Sequence, residues 1–171
     1  ILSQELVTYI VLGSKSRLQG IKLPVNSKFE EYIFLNFDSK HRILEKLDQL
    51  ITSAQGELIV LLPPSSYPNS LAKEALKKIA LIGLSSWGWF EYNSKRKNFV
   101  QNIKKVNTLI RSIPDLEQGI YFTKRLYFSV GGFGSIEPNI FSEISKRLYS
   151  RIDPQKPLPA LIIRTKNLQL D

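Results

Sequence analysis

Few side chains in this sequence could carry acid–base or nucleophilic chemistry, and none stands in a spacing that names a reaction. The single histidine, His41, has no second histidine and no cysteine to join it, so zinc ligation and a histidine-based triad lack carriers. Cysteine is absent, which removes thiolate nucleophiles, disulfides and cysteine metal sites together. The carboxylates are scattered, with Glu30-Glu31 and Glu117 ahead of apolar runs and Asp38 behind one. A nuclease-type grouping of Asp38, Glu57 and a nearby lysine lacks the Glu-x-Lys strand pairing that would support it. In Gly13-Ser14-Lys15-Ser16 a glycine and a lysine follow an apolar run, but no second glycine precedes the lysine. That tetrapeptide reads as a turn rather than a phosphate loop.

The elements that must position these groups are clearer. Residues 6–12 (LVTYIVL) form a β-branched apolar run of strand type, residues 15–28 a polar loop, and residues 31–37 (EYIFLNF) a second strand. Asp38 or Ser39 can cap a helix over 40–54, whose apolar positions recur at helical spacing on one face. Gln55-Gly56 then ends that helix in the manner of a C′ glycine. Residues 58–62 (LIVLL) are continuously apolar, as a central strand covered on both faces would be. Strand, helix, strand in that order predicts a parallel α/β sheet. In such sheets ligands bind beyond the carboxyl ends of the strands, which directs attention to the loop Pro63-Pro64-Ser65-Ser66-Tyr67-Pro68.

Asn69 or Ser70 can cap a helix over 71–80, with Lys73, Lys77 and Lys78 on its solvated face. Residues 84–92 (LSSWGWFEY) predict an aromatic strand. Trp87 and Trp89 there could form a stacking wall for an acceptor, although such strands more often supply core or a dimer contact. A basic turn at 93–97 leads into an amphipathic helix over 98–111. The stretch 113–148 opens on Pro114-Asp115, runs through a half-buried strand at 119–122, and enters a basic-aromatic helix at 123–130. Gly131-Gly132 then break the chain, because glycine accepts positive φ without a Cβ clash, and Phe133 is sent into a pocket or the core. A final helix over 143–149 closes the stretch. Beyond it, residues 153–159 are proline-rich and extended, and residues 160–164 (ALIIR) form an edge strand or a clip on a partner.

That long stretch resembles the C-terminal half of the nucleotide-sugar-binding domain of family 2 glycosyltransferases. The residues that carry the resemblance are Pro114, Glu117, Gln118, Ile120, Leu126, Gly131, Gly132, Phe133, Glu143, Arg147 and Leu148, at the family's spacing without a gap. The resemblance implies a three-layer α/β domain of the GT-A type, with a mostly parallel sheet and helices on both faces. It covers roughly residues 40–148. The whole chain then reads as one such domain, shortened at its N-terminal nucleotide-binding half and extended by a proline-rich segment at 150–171. Two departures matter. The family's Glu-Asp catalytic-base pair is replaced by Ile140-Phe141, and its metal-binding Asp motif by Pro63, Pro64 and Ser65. Mg²⁺ and Mn²⁺ are hard cations that prefer carboxylate oxygens, so hydroxyls alone hold them poorly. No metal site is therefore expected, and Mn²⁺ or Mg²⁺ enters only if an acidic site is rebuilt from other residues.

The resemblance further implies Glu117 as the acceptor-side carboxylate if the protein is active. It implies Gln118, Ser65, Ser66, Trp87 and Trp89 as donor or acceptor contacts. Catalysis by the family's route needs a general base for the acceptor hydroxyl and a metal for the diphosphate charge. With both carboxylate sets replaced, the expectation is a catalytically impaired relative that binds a ligand or a partner. An active, metal-independent transferase is the alternative, with Lys124 and Arg125 carrying the leaving-group charge. A basic nucleic-acid-binding module is the alternative from another class. It predicts a steep fall in affinity with salt, and nucleic acid is the disfavoured partner.

Composition bounds these readings. The chain has 171 residues, 43% apolar and 23% charged, an ordinary globular mixture. Its 24 lysines and arginines exceed its 15 acidic residues, for a net charge of +9. Such a surplus favours anionic partners: a nucleotide-sugar or other phosphate ligand, or an acidic membrane surface. A protein partner or homo-oligomer also fits the inherited scaffold. No apolar run approaches the roughly 20 residues of a membrane span, and residues 1–5 lack the pattern of a secretion signal. The expectation is a cytoplasmic protein with a peripheral contact at the membrane.

Overall fold

In the computed structural model, residues 6–37, 43–92, 113–133 and 140–164 are described. His41, Asp38, the basic turn at 93–97 and the helix expected over 98–111 lie outside the described residues. The apolar runs become strands because each can bury alternate side chains on opposite faces of one sheet. These are β1 (Val7–Ser14), β2 (Glu30–Phe37), β3 (Leu58–Leu62), β5 (Trp87–Gly88) and β6 (Ile120–Thr123), in the order β2-β1-β3-β6-β5. A second sheet of two short strands pairs β4 (Ser66–Tyr67) with β7 (Ile162–Ile163).

β1 pairs in parallel with β2 and β3. β6 runs antiparallel to β3, and β5 antiparallel to β6. The expected mostly parallel sheet is therefore a mixed one. The chain enters β6 at the edge where β3 ends, since Ile120 is in register with Leu61.

Period-two alternation divides the core. Val7, Tyr9 and Val11 of β1 and Leu58, Val60 and Leu62 of β3 face one layer, with Tyr121 of β6. Helix α3 (Ser70–Ile82) covers it through Ala72, Leu76 and Ala80. Ile10, Leu12, Ile59, Leu61, Ile120 and Phe122 face the other layer. It is covered by α2 (Ile43–Ser53), α4 (Lys124–Ser129) and α5 (Ile140–Tyr149). Helices on both faces of a mixed sheet make a three-layer α/β arrangement.

Local signals explain the element ends. Asn69 caps α3, its side-chain oxygen accepting from the Ala72 amide, and Gly83 closes it at φ 67°. Thr123 caps α4 in the same way through Leu126. Gly131 and Gly132, both at positive φ, turn Phe133 back onto Phe122 and Tyr127 in edge-to-face contact.

Three expectations change. Residues 15–18 form a short helix, α1 (Lys15–Leu18), where a loop was expected, because Ser14 caps it by accepting from the Arg17 amide. Helix α5 begins at Ile140, three residues early, because Ile140 and Phe141 are buried core residues. The aromatic strand over 84–92 is reduced to Trp87–Gly88 and a bridge from Phe90 to Leu158. Of the two readings of 160–164, the strand is the one found: Ile162–Ile163 pairs with β4. Among the described residues no helix is long and apolar enough to cross a membrane.

Candidate functional site

The carboxyl ends of β1 and β3 lie side by side, because Val11 is in register with Leu62. The chain leaving β3 turns immediately into the second sheet. Pro63 and Pro64 are buried, and Pro64 packs toward Gly13 and Leu18. A Cβ placed on Gly13 would stand 2.9 Å from Leu18 and 3.4 Å from Pro64. Ser65 has φ 54°, and among the described residues it is the one non-glycine in the left-handed region. Its carbonyl accepts from the Arg164 amide at 3.0 Å, which ties the loop to β7. Ser66 is buried, and its hydroxyl donates to the Pro63 carbonyl at 2.8 Å. The loop is thus a closed hydrogen-bonded turn, with one serine hydroxyl spent internally.

No group of three or more histidine, cysteine, aspartate or glutamate side chains that could hold a metal occurs among the described residues. Proline offers no side-chain ligand atom, and positions 63–66 carry no carboxylate.

The antiparallel run of β6 brings a second loop to the same edge, since Ile120 is in register with Leu61. A 3₁₀ turn, Leu116–Gln118, stands there with Asp115 as its cap. Gln118 is buried and engaged at both ends. Its side-chain oxygen accepts from the Asp115 amide at 2.9 Å, and its side-chain nitrogen donates to the Phe90 carbonyl at 3.3 Å. The expected ligand contact is therefore a latch that holds the turn. Glu117 is partly exposed on that turn. Tyr92 donates a short hydrogen bond to Asp115 Oδ2. Burial first, then that bond and the nearby charges of Asp115 and Glu117, push the Tyr92 hydroxyl well above its ordinary range. The carboxylates of Asp115 and Glu117 are thus gathered around one tyrosine.

The remaining expected contacts do not join this edge. Trp87 has no exposed surface and Trp89 only 8%. Both belong to the core, and the Trp87 indole N–H donates to the Ile152 carbonyl at 2.8 Å. The expected stacking wall is interior packing, because β5 is covered by α5 through Tyr149 against Trp87. Lys124 and Arg125 follow Thr123, which is in register with Leu58 at the opposite end of β3. The length of that strand, roughly 13 Å at about 3.3 Å per residue, separates them from the 63–66 loop. The Lys124 ammonium donates to the Ala54 carbonyl at 2.8 Å. The reversed direction of β6 thus puts them at the edge of the sheet opposite Ser65.

Of the cations that do belong to the carboxyl edge, Lys15 was read in sequence as part of a turn, and Lys46 and Arg164 were not singled out. Lys15 opens α1 directly after β1 and is exposed. Lys46 donates to the Asn36 carbonyl at the end of β2, and Arg164 lies over the Tyr67 ring at 5.5 Å. The signal available was position, a lysine just beyond the carboxyl end of a buried strand. No family model and no curated protein matches this chain.

Proposed function

We propose that this chain is a degenerate relative of the family 2 glycosyltransferases, built on a GT-A-type domain. In this reading it binds a phosphate-bearing ligand such as a nucleotide-sugar without a metal and does not transfer the sugar. The observation that carries the reading is the meeting of two loops at one edge. The 63–66 loop and the 115–118 turn hold the positions that the resemblance aligns with the family's metal motif and its acidic-Gln pair. Antiparallel β6 brings them together. The strand order β2-β1-β3-β6-β5, with one reversed strand next to β3, supports the same reading.

Loss of transfer is supported from two sides. The metal positions are buried prolines and an internally bonded turn. The base positions, Ile140 and Phe141, are 8% and 0% exposed and serve the core. Charge for a phosphate group comes from Lys15 and Arg164, both exposed on that edge. We take the protein to be cytoplasmic, a placement with which its lack of cysteine is compatible.

Calorimetric titration with UDP- and GDP-sugars, with and without Mn²⁺, tests this. Binding that is unchanged by Mn²⁺ and weakened in Lys15→Ala is the expected result. Binding that requires Mn²⁺ would return the protein to the active enzymes, and no binding of any donor would overturn the ligand reading.

A further inference from the structure

At the edge of the sheet opposite the candidate site, α3, α4 and the segment after α5 meet and leave apolar side chains in water. Among the described residues nine large apolar side chains are exposed, and five of them stand here: Leu81, Ile82, Leu84, Phe128 and Ile152. Helix α3 ends in Leu81-Ile82, and Gly83 then turns the chain at φ 67°, with nothing within 4 Å of an added Cβ. Both flanks of that open turn are aliphatic, Ile82 and Leu84, each 65% exposed. A group of such side chains on one surface marks an interaction site, because each gains free energy by leaving water.

The same edge is cationic. Arg125 shares a cleft with Leu81 and Ile82, and it lies one turn before Phe128 on the exposed face of α4. Lys156 and Ile152 line a second cleft with Ile82 and Leu84. The Arg151 guanidinium donates to the Ser129 carbonyl at 2.8 Å, which ties the end of α4 to the residues after α5. Lys78 stands one turn before Ile82 on α3. These four cations are all exposed, against two exposed carboxylates, Glu57 and Asp153. A positive surplus therefore rings the apolar group.

We infer that this edge docks on an anionic lipid bilayer, with the Ile82-Gly83-Leu84 turn in the outer acyl layer and the four cations among the head groups. Aliphatic insertion and cation attraction act together at such an interface. Four of the five apolar side chains are aliphatic, which suits fluid acyl chains better than the aromatic anchors typical of protein contacts. A second copy fits less well, because a two-fold contact through this surface would bring the same four cations face to face. The net charge of +9 adds a long-range pull toward a negative surface. Docked this way, the chain keeps the 63–66 loop and the 115–118 turn at the edge facing water.

Co-sedimentation of the intact chain with sucrose-loaded vesicles tests this, using phosphatidylcholine alone and phosphatidylcholine with phosphatidylserine at about four to one. Binding to the anionic vesicles at least about tenfold tighter than to the neutral ones is expected. Arg125→Gln and Lys156→Gln should each weaken it about fivefold, and Ile82→Ser with Leu84→Ser about tenfold or more. Lys15→Gln removes the same charge at the opposite edge and should change binding less than about twofold. All these positions are exposed, so melting should be unchanged. The comparison of the two vesicle types on the parent chain stands even if a variant fails to fold. No vesicle binding, equal binding to both compositions, or a loss in Lys15→Gln as large as in Lys156→Gln overturns the inference. So does full binding by the Ile82 and Leu84 double variant, or a dimer of the parent chain that this double variant dissociates.

Discussion

The hydroxyl of Tyr127 on α4 donates a short hydrogen bond to Asp48 Oδ1 on α2, joining two helices that cover the same face of the sheet. Asp48 is itself exposed, so solvent screens part of the interaction. Tyr127→Phe keeps the ring against Phe122 and Phe133 and removes the bond alone. A loss of about 1 kcal/mol in urea unfolding is expected. An unchanged midpoint would show that the two helices are held by apolar packing only.

Alkali should unfold this protein earlier than its composition suggests. Tyr9, Tyr32, Tyr92, Tyr121 and Tyr127 all have hydroxyls pushed above the ordinary 10.0, with burial the largest cause in each. A raised folded value means the folded state holds its proton longer. That contribution is complete below pH 10.0 and is lost as pH climbs through the folded value, about 12 for Tyr121. Stability should therefore fall from about pH 10 upward, with a shallower slope in Tyr121→Phe. Equal slopes for parent and variant would contradict the burial argument for that residue.

Gly56 is needed for close approach. Its amide donates to Thr8 Oγ1 at 3.0 Å, and Thr8 in turn donates to Glu31 Oε2 at 2.6 Å. An added Cβ would stand 2.7 Å from the Leu6 carbonyl oxygen and 2.8 Å from the Thr8 amide nitrogen. Backbone atoms cannot step aside as a flexible side chain can. Gly56→Ala should cost about 2 kcal/mol or more, measured by thermal melting, and a neutral result would mean the loop before β3 can shift freely.

Gln118 offers a test of latch against ligand contact. Gln118→Ala removes both bonds of its side chain and leaves the Asp115 amide and the Phe90 carbonyl short of a partner. A destabilisation of about 1–3 kcal/mol is expected without any ligand present. If stability held while donor binding fell, the residue would be a ligand contact and the latch would be wrong.

The elements were legible in sequence to different depths. Strands β1 and β3 and the cap at Asn69 were open to reading because they depend on neighbours within a few residues. Gly56 was misread for the opposite reason. Its constraint comes from Thr8, distant in sequence, and a glycine after a helix looks the same whether it caps or makes room. Trp87 and Trp89 were ambiguous because an aromatic strand shows the same pattern whether a helix or a ligand covers it.

What the amino-acid order determined alone is chemical: no cysteine, one histidine, two prolines directly after the apolar run 58–62, and apolar runs of strand and helix period. These are properties of residue type and short-range spacing. Which residues share a site was decided only by the tertiary structure. β6 lies antiparallel to β3. That single reversal brings Glu117 and Gln118 to the edge that carries Ser65 and sends Lys124 and Arg125 to the far one. Strand direction arises from long-range pairing and the path of the connections, and side-chain periodicity is the same in either direction.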